Sequence, residues 1–116
     1  MIYYTVTTST QFTEGEAVQV SDIGVIETYT TGDVLGVVMS STEIDETSFA
    51  TKIYSAGGGG VVMVLASSWN GAPSRFRFVS GGRIEPAATG GDGWMIPDHP
   101  PVARNAGDIV RAAIYK

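Results

Sequence analysis

Short apolar runs rich in β-branched and aromatic residues recur along this chain about every 11 residues, each closed by Gly, Ser, Thr, Asp or Asn. A chain interrupted this often cannot build long helices, and the period-two alternation inside the runs is that of strands. Candidate strands are Ile2 to Thr8, Ala17 to Val20, Val25 to Thr30, Val34 to Ser40, Thr51 to Ser55, Val61 to Ala66, Arg75 to Val79, Arg83 to Ala87, Gly93 to Ile96 and Ile109 to Tyr115. Ten such strands in 116 residues predict an all-β fold, a small antiparallel β-sandwich or β-barrel with short strands and Gly-rich turns. No stretch keeps a helical period. The nearest, Thr42-Glu43-Ile44-Asp45, starts like a capping box, but Glu46-Thr47-Ser48-Phe49 sustains no more than about one turn.

Length allows one domain, residues 1–116, with 1–12 as an N-terminal strand or arm and 13–116 as the body. Gly15-Glu16, Gly32-Asp33 and Gly107-Asp108 each precede an apolar run and read as structural corners. Phe76, Phe78, Val62, Val64, Val37, Val110 and Ala112 are the expected core. Residues Ile2 to Val6 are strong β-formers, and an apolar strand carrying both Tyr3 and Tyr4 is hazardous as a free edge. It is therefore expected to pair, in its own sheet or with a neighbouring subunit.

The side-chain inventory narrows the chemistry. Without cysteine there is no thiolate nucleophile, Cys-ligated zinc, iron–sulfur cluster or disulfide, and one His rules out any two-His metal site. The four-glycine run Gly57 to Gly60 lacks the Gly-Lys-Ser/Thr and helix of a phosphate loop, and reads as a flexible hairpin connection or bulge. Asp98 and His99 are adjacent on an extended, proline-rich stretch, so they point apart and form no triad. Glu43, Asp45 and Glu46 lack calcium-loop spacing and read as a solvated acidic loop. No catalytic, cofactor-binding or metal-ligating residue is assigned, and the chain is not expected to be an enzyme. With net charge −5 and no basic run, nucleic acid is not an expected partner. Neither is a membrane: the N-terminus lacks a signal-peptide pattern, and the longest apolar run, Val61 to Ala66, is far short of the roughly 20 residues of a spanning helix.

What remains points to contacts with other proteins. Residues 1–58 carry eight acids against Lys52 alone, whereas residues 59–116 carry six bases against four acids. This is either scatter over a solvated surface or a device by which copies associate, acidic region to basic region. In Arg75-Phe76-Arg77-Phe78 the alternation sends both Phe inward and both Arg outward, side by side. The arginines either solubilise that face or bind carboxylates of a partner in bidentate geometry. Trp69, in a turn-rich loop, is either a ring packed on the core edge or an interface anchor, and Trp94 reads as core. The candidate partner-binding residues are Arg75, Arg77, Trp69, Glu43, Asp45, Glu46, Tyr3 and Tyr4.

The ordered series Gly15-Glu16, Asp33-Val34-Leu35-Gly36-Val37-Val38, Gly60 to Leu65, Gly82-Arg83-Ile84-Glu85-Pro86, Gly93-Trp94-Met95-Ile96 and Ala106-Gly107-Asp108-Ile109-Val110-Arg111 has a familiar pattern. It resembles the small all-β head decoration, or capsid cement, proteins of tailed bacteriophages, over most of residues 13–116. Pro97 to Asn105 is an interposed segment relative to that pattern. The resemblance implies a structural virion protein on the capsid exterior, binding the major capsid protein and itself, often as a homotrimer, with no cofactor. The alternative is a receptor- or glycan-binding β-domain of a phage tail or head appendage, with Trp69 and Asn70 as stacking platform.

Overall fold

Turn residues divide the chain into ten strands, seen in a computed structural model that describes residues 2–57 and 59–115. Met1, Gly58 and Lys116 lie outside the described residues. The strands are β1 (Ile2–Thr8), β2 (Ala17–Val20), β3 (Ile26–Thr28), β4 (Gly36–Asp45), β5 (Ser48–Ala56), β6 (Val61–Val64), β7 (Ser74–Val79), β8 (Arg83–Ala87), β9 (Gly93–Ile96) and β10 (Ile109–Ile114). β4 and β5 run farther than their apolar cores suggest. The segment from Thr42 to Asp45, the nearest approach to a helical start in the sequence, is strand. Its residues pair with Ser48 to Ala50, and Asp45 spends its carboxylate on the turn, accepting the Thr47 N–H at 2.9 Å. Cross-strand pairing over the whole hairpin outweighs a one-turn helix.

The strands form two five-stranded antiparallel sheets packed as a β-sandwich. The first has the order β1-β5-β4-β2-β3 and the second β6-β10-β9-β7-β8. Each sheet is one contiguous half of the chain. Gly57, Gly59 and Gly60 therefore belong to a crossover between sheets, not the expected hairpin connection or bulge, since β5 and β6 pair with different neighbours; Gly58, the remaining residue of that run, lies outside the described residues. The second sheet curls until its edge strands approach each other at a Leu65–Ile84 bridge, where the Ala66 N–H reaches the Ile84 carbonyl at 2.7 Å.

Period-two alternation places Ala17, Val37 and Tyr54 of the first sheet against Met63, Leu65, Phe76, Phe78, Ile84, Met95, Val110, Ala112 and Ile114 of the second. Phe76 and Phe78 meet edge-to-face, with Tyr29 tilted against Phe78. Of the expected core, Phe76, Phe78, Val37, Val110 and Ala112 are buried, but Val62 and Val64 are only half-buried. β6 is apolar on both faces, so alternation alone does not give its phase. Met63 is the residue that β10 pairing turns inward, opposite Val110.

The first sheet also has an apolar outer face. Phe12, in the loop after β1, folds over Val18, Val38 and Ile53, with Tyr4, Val6, Ile26 and Leu35 half-buried around them. Beside this second cluster a hydroxyl ladder joins the strands: Thr8 to Thr51 at 2.8 Å and Thr51 to Ser41 at 2.9 Å. β1 is thus paired within its own sheet, along β5 from Ile2 to Thr8.

Two positions are most sensitive. Tyr54 is fully buried, and its phenol oxygen accepts the Ile114 N–H at 3.1 Å while its proton goes to the Gly57 carbonyl. Burial pushes its pKa up. Tyr54→Phe leaves the Ile114 N–H unsatisfied, an expected loss of about 1–3 kcal/mol in denaturant unfolding. At Gly93 a Cβ would collide with the Ala113 carbonyl and the Phe76 ring. A carbonyl held in a sheet cannot step aside, so Gly93→Ala should destabilise by about 3 kcal/mol or more, read by the same measurement.

Candidate protein-binding surfaces

The outer face of the second sheet is built by the residues that alternate with its core. On β7, burial of Phe76 and Phe78 turns Arg75 and Arg77 outward, as the alternation predicts. Their surroundings were not legible in sequence. The Arg75 guanidinium lies 4.8 Å from the centre of the Trp94 ring and donates to the Gly90 carbonyl at 3.3 Å. Arg77 forms an ion pair with Glu85, its cross-strand neighbour on β8. Arg111, opposite Ile96 and Val62, donates to the carbonyls of Gly59 and Gly60 at 2.8 and 3.1 Å, holding the crossover.

Trp94 is not core: it is 43% exposed, because Gly93 and Met95 occupy the inward positions of β9. Ile96 and Ile109 are also exposed on the outer side of this sheet, an apolar contribution the sequence reading missed. In Gly93-Trp94-Met95-Ile96 both alternating sets are apolar, so only the pairing with β10 and β7 selects the inward one. The result is a face of stacked Trp and Arg, aliphatic side chains and a further Arg, with Glu85 already engaged.

Trp69 goes the other way. It is 5% exposed, its N–H donates to the Ala72 carbonyl at 2.9 Å, and its backbone forms a two-bond bridge with Arg104. The fold decides for the ring packed on the core, and corrects its assignment as an interface anchor: a side chain this covered presents no face to a partner. Arg104 also pairs with Asp98, so the interposed Pro97 to Asn105 segment is fastened to the loop around Trp69.

The acidic residues lie on the first sheet. Glu43, Asp45 and Glu46 are exposed at the tip of the β4–β5 hairpin, with Ile44 exposed between them. The backbone N–H of Thr47, followed by the Ser48 side chain, holds the Asp45 carboxyl below its ordinary pKa. Among the described residues no group of three or more His, Asp or Glu stands close enough to hold a metal ion. At the opposite end of this sheet an open depression is lined by Val20, Asp22, Ile23, Val25, Glu27 and Asp33, and Ile23 is 86% exposed at its turn.

Tyr3 and Tyr4 point to opposite sides of β1. Tyr3 is exposed, with the Lys52 ammonium 4.1 Å from its ring centre. Tyr4 is half-buried in the second cluster, and its hydroxyl is hidden without a hydrogen-bond partner among the described residues. Burial raises its pKa. The structure brings Arg75 and Arg77 together, and separately Glu43, Asp45 and Glu46, but within one chain it joins neither group to the other.

No protein-family model matches the chain, and none of the curated proteins compared with it does.

The lowered Asp45 pKa has a direction that can be measured. Its contribution to the turn is present above the ordinary Asp value and is lost as pH falls through the lowered folded value. In an NMR titration the Asp45 carboxyl carbon should titrate below an unstructured Asp, with the Thr47 amide sharing its midpoint. Asp45→Asn should abolish that amide transition. A midpoint at or above the unstructured value contradicts the turn hydrogen bonds.

Proposed function

We propose that this chain is a structural virion protein, a capsid decoration or cement protein that binds the outer surface of a phage shell and stabilises it by multivalent contacts. Its partners in this reading are the major capsid protein and further copies of itself, assembled as a homotrimer. The observation that carries the reading is the segregation of charge by sheet. The acid-rich half of the chain is one sheet and the base-rich half the other, so opposite signs lie on opposite layers of one body. A body of this kind can meet its copies head to tail, and a head-to-tail contact that closes gives a ring. The order of Gly-led segments on which the resemblance rests supplies the capsid setting.

Arg75 and Arg77 facing Glu43, Asp45 and Glu46 of a neighbouring copy is the contact favoured here. The two arginines enter it differently. Arg75 is held over Trp94 with no carboxylate paired to it among the described residues, whereas Arg77 would have to share itself with Glu85. Exposed pairs of this kind set register and specificity, and the apolar side chains beside them, Trp94 and Ile96, supply burial. Several modest contacts on one body then act together through effective concentration. The alternative, a receptor- or glycan-binding domain, relied on Trp69 as a stacking platform, and that ring is covered.

The test is addition of the purified protein to undecorated capsids, with light scattering of the free protein for its oligomeric state. Wild type should add to capsids and scatter as a trimer or a multiple of one. Arg75→Glu should weaken both; it is cleaner than Arg77→Glu, which would set two acids side by side with Glu85. A protein that is monomeric free and on capsids, with addition unchanged by Arg75→Glu, or one that does not add at all, overturns the reading.

A further inference from the structure

Three of the four sheet edges are protected. β3 is three residues long with Glu27 at its centre. β6 and β8 close on each other through the Leu65–Ile84 bridge, and β8 carries Pro86 besides. β1 differs from all of these. It is seven residues long, contains neither charge nor proline, and among the described residues nothing pairs with its outer side. Its row of backbone donors and acceptors is a template for one more strand.

We propose that the strand it takes is β1 of a second copy, antiparallel across a two-fold axis at Thr5. Full overlap of Ile2–Thr8 with itself sets Thr5 opposite Thr5, Tyr4 opposite Val6, Tyr3 opposite Thr7 and Ile2 opposite Thr8. The three inner pairs are then of a favourable kind, aromatic with β-branched or Thr with Thr, Ile2 with Thr8 sets two β-branched residues together, and no like charges meet. The face on which Tyr4 and Val6 lie adds a second argument. Both belong to the cluster over Val38 and Ile53, and both are only half-buried. Pairing lays the second copy's Val6 and Tyr4 against them, so the cluster continues across the seam. The contact is isologous and uses up both edges, leaving only the three-residue β3 at each end of a ten-stranded sheet. It therefore closes as a dimer instead of growing into a fibre. The inference does not rest on the capsid reading, because it uses neither the charged hairpin tip nor the outer face of the second sheet.

The absence of cysteine makes the geometry directly readable. At the two-fold, the two Cα atoms of residue 5 would lie about 4.5–5.5 Å apart, within disulfide range. Those of residue 7, equally exposed and on the same face, would be offset by about 13 Å along the strands, outside it. Oxidised Thr5→Cys should give a two-chain band on a non-reducing gel, and Thr7→Cys should not. In sedimentation, Arg75→Glu, whose trimer contact is weakened but whose edge is intact, should still dimerise, and adding Thr5→Lys or Thr5→Glu to it should raise the dissociation constant about tenfold or more by placing like charges face to face. An equimolar mixture of the two should restore association. Should the charged variants fail to fold, the nearly isosteric cysteine pair still decides. Cross-linking that is absent from Thr5→Cys, or equal in both cysteine variants, overturns the proposal, as does a dimer indifferent to both charges. Because Arg75→Glu leaves this edge intact, its effect on capsid addition is independent of the cross-link.

Discussion

Tyr54 ties the two layers together where the chain passes between them. Its ring lies in the inter-sheet core, its proton goes to Gly57 at the start of the crossover, and its oxygen receives the N–H of Ile114 near the end of the last strand. Gly57 in turn donates to the Ile114 carbonyl at 3.2 Å. The shared apolar core holds the layers face to face, and this arrangement sets their ends. With it, the end of β5 is registered against the end of β10. At the other end of the sandwich the tight turn Gly81-Gly82 reaches across: the Ala17 N–H bonds the Gly82 carbonyl and the Gly81 N–H bonds the Tyr29 carbonyl, both at 2.9 Å. Two backbone latches and one buried phenol therefore fix how the layers meet.

Because each layer is a contiguous half of the chain, linear charge asymmetry becomes spatial asymmetry. Had the strands interleaved between sheets, the same residues would have mixed their charges on both layers. Contiguity also explains the crossover's composition, since glycine lets the backbone turn sharply from one layer to the other: Gly60 sits at φ +65°, with Arg111 closing over the carbonyls of Gly59 and Gly60.

The exposed apolar residues fall where pairing leaves them. Trp94, Ile96 and Ile109 face out because Met95 and Val110 face in; Trp94 has Arg75 and Ile96 has Arg111 opposite it on a neighbouring strand. The outer face of the first sheet is treated differently: Phe12 and the loop that carries it cover Val18, Val38 and Ile53, and coverage thins toward Tyr4 and Val6 on β1. A monomer thus has a cationic, partly apolar face on one layer and an uncharged edge on the other.

Local chemistry alone determined the strand inventory. Glycine, serine and acid corners interrupt β-branched runs so regularly that β1, β2, β8 and β9 have the bounds the sequence predicts, and the outward turn of Arg75 and Arg77 follows from alternation with two phenylalanines. The acidic character of residues 43 to 46 was also plain, though their hairpin was not, because its strands are polar and only mutual pairing stabilises them. Tertiary structure decided whatever depends on which of two equivalent faces is covered. Val62 and Val64 against Met63, and Trp94 against Met95, are choices between apolar sets that the sequence leaves equal, and the register with β10 and β7 makes them. Trp69 is buried by the inter-sheet core it joins, and its backbone is fastened by a bridge to Arg104, 35 positions away. Alternation is a local property with two phases; a long-range partner is needed to choose one.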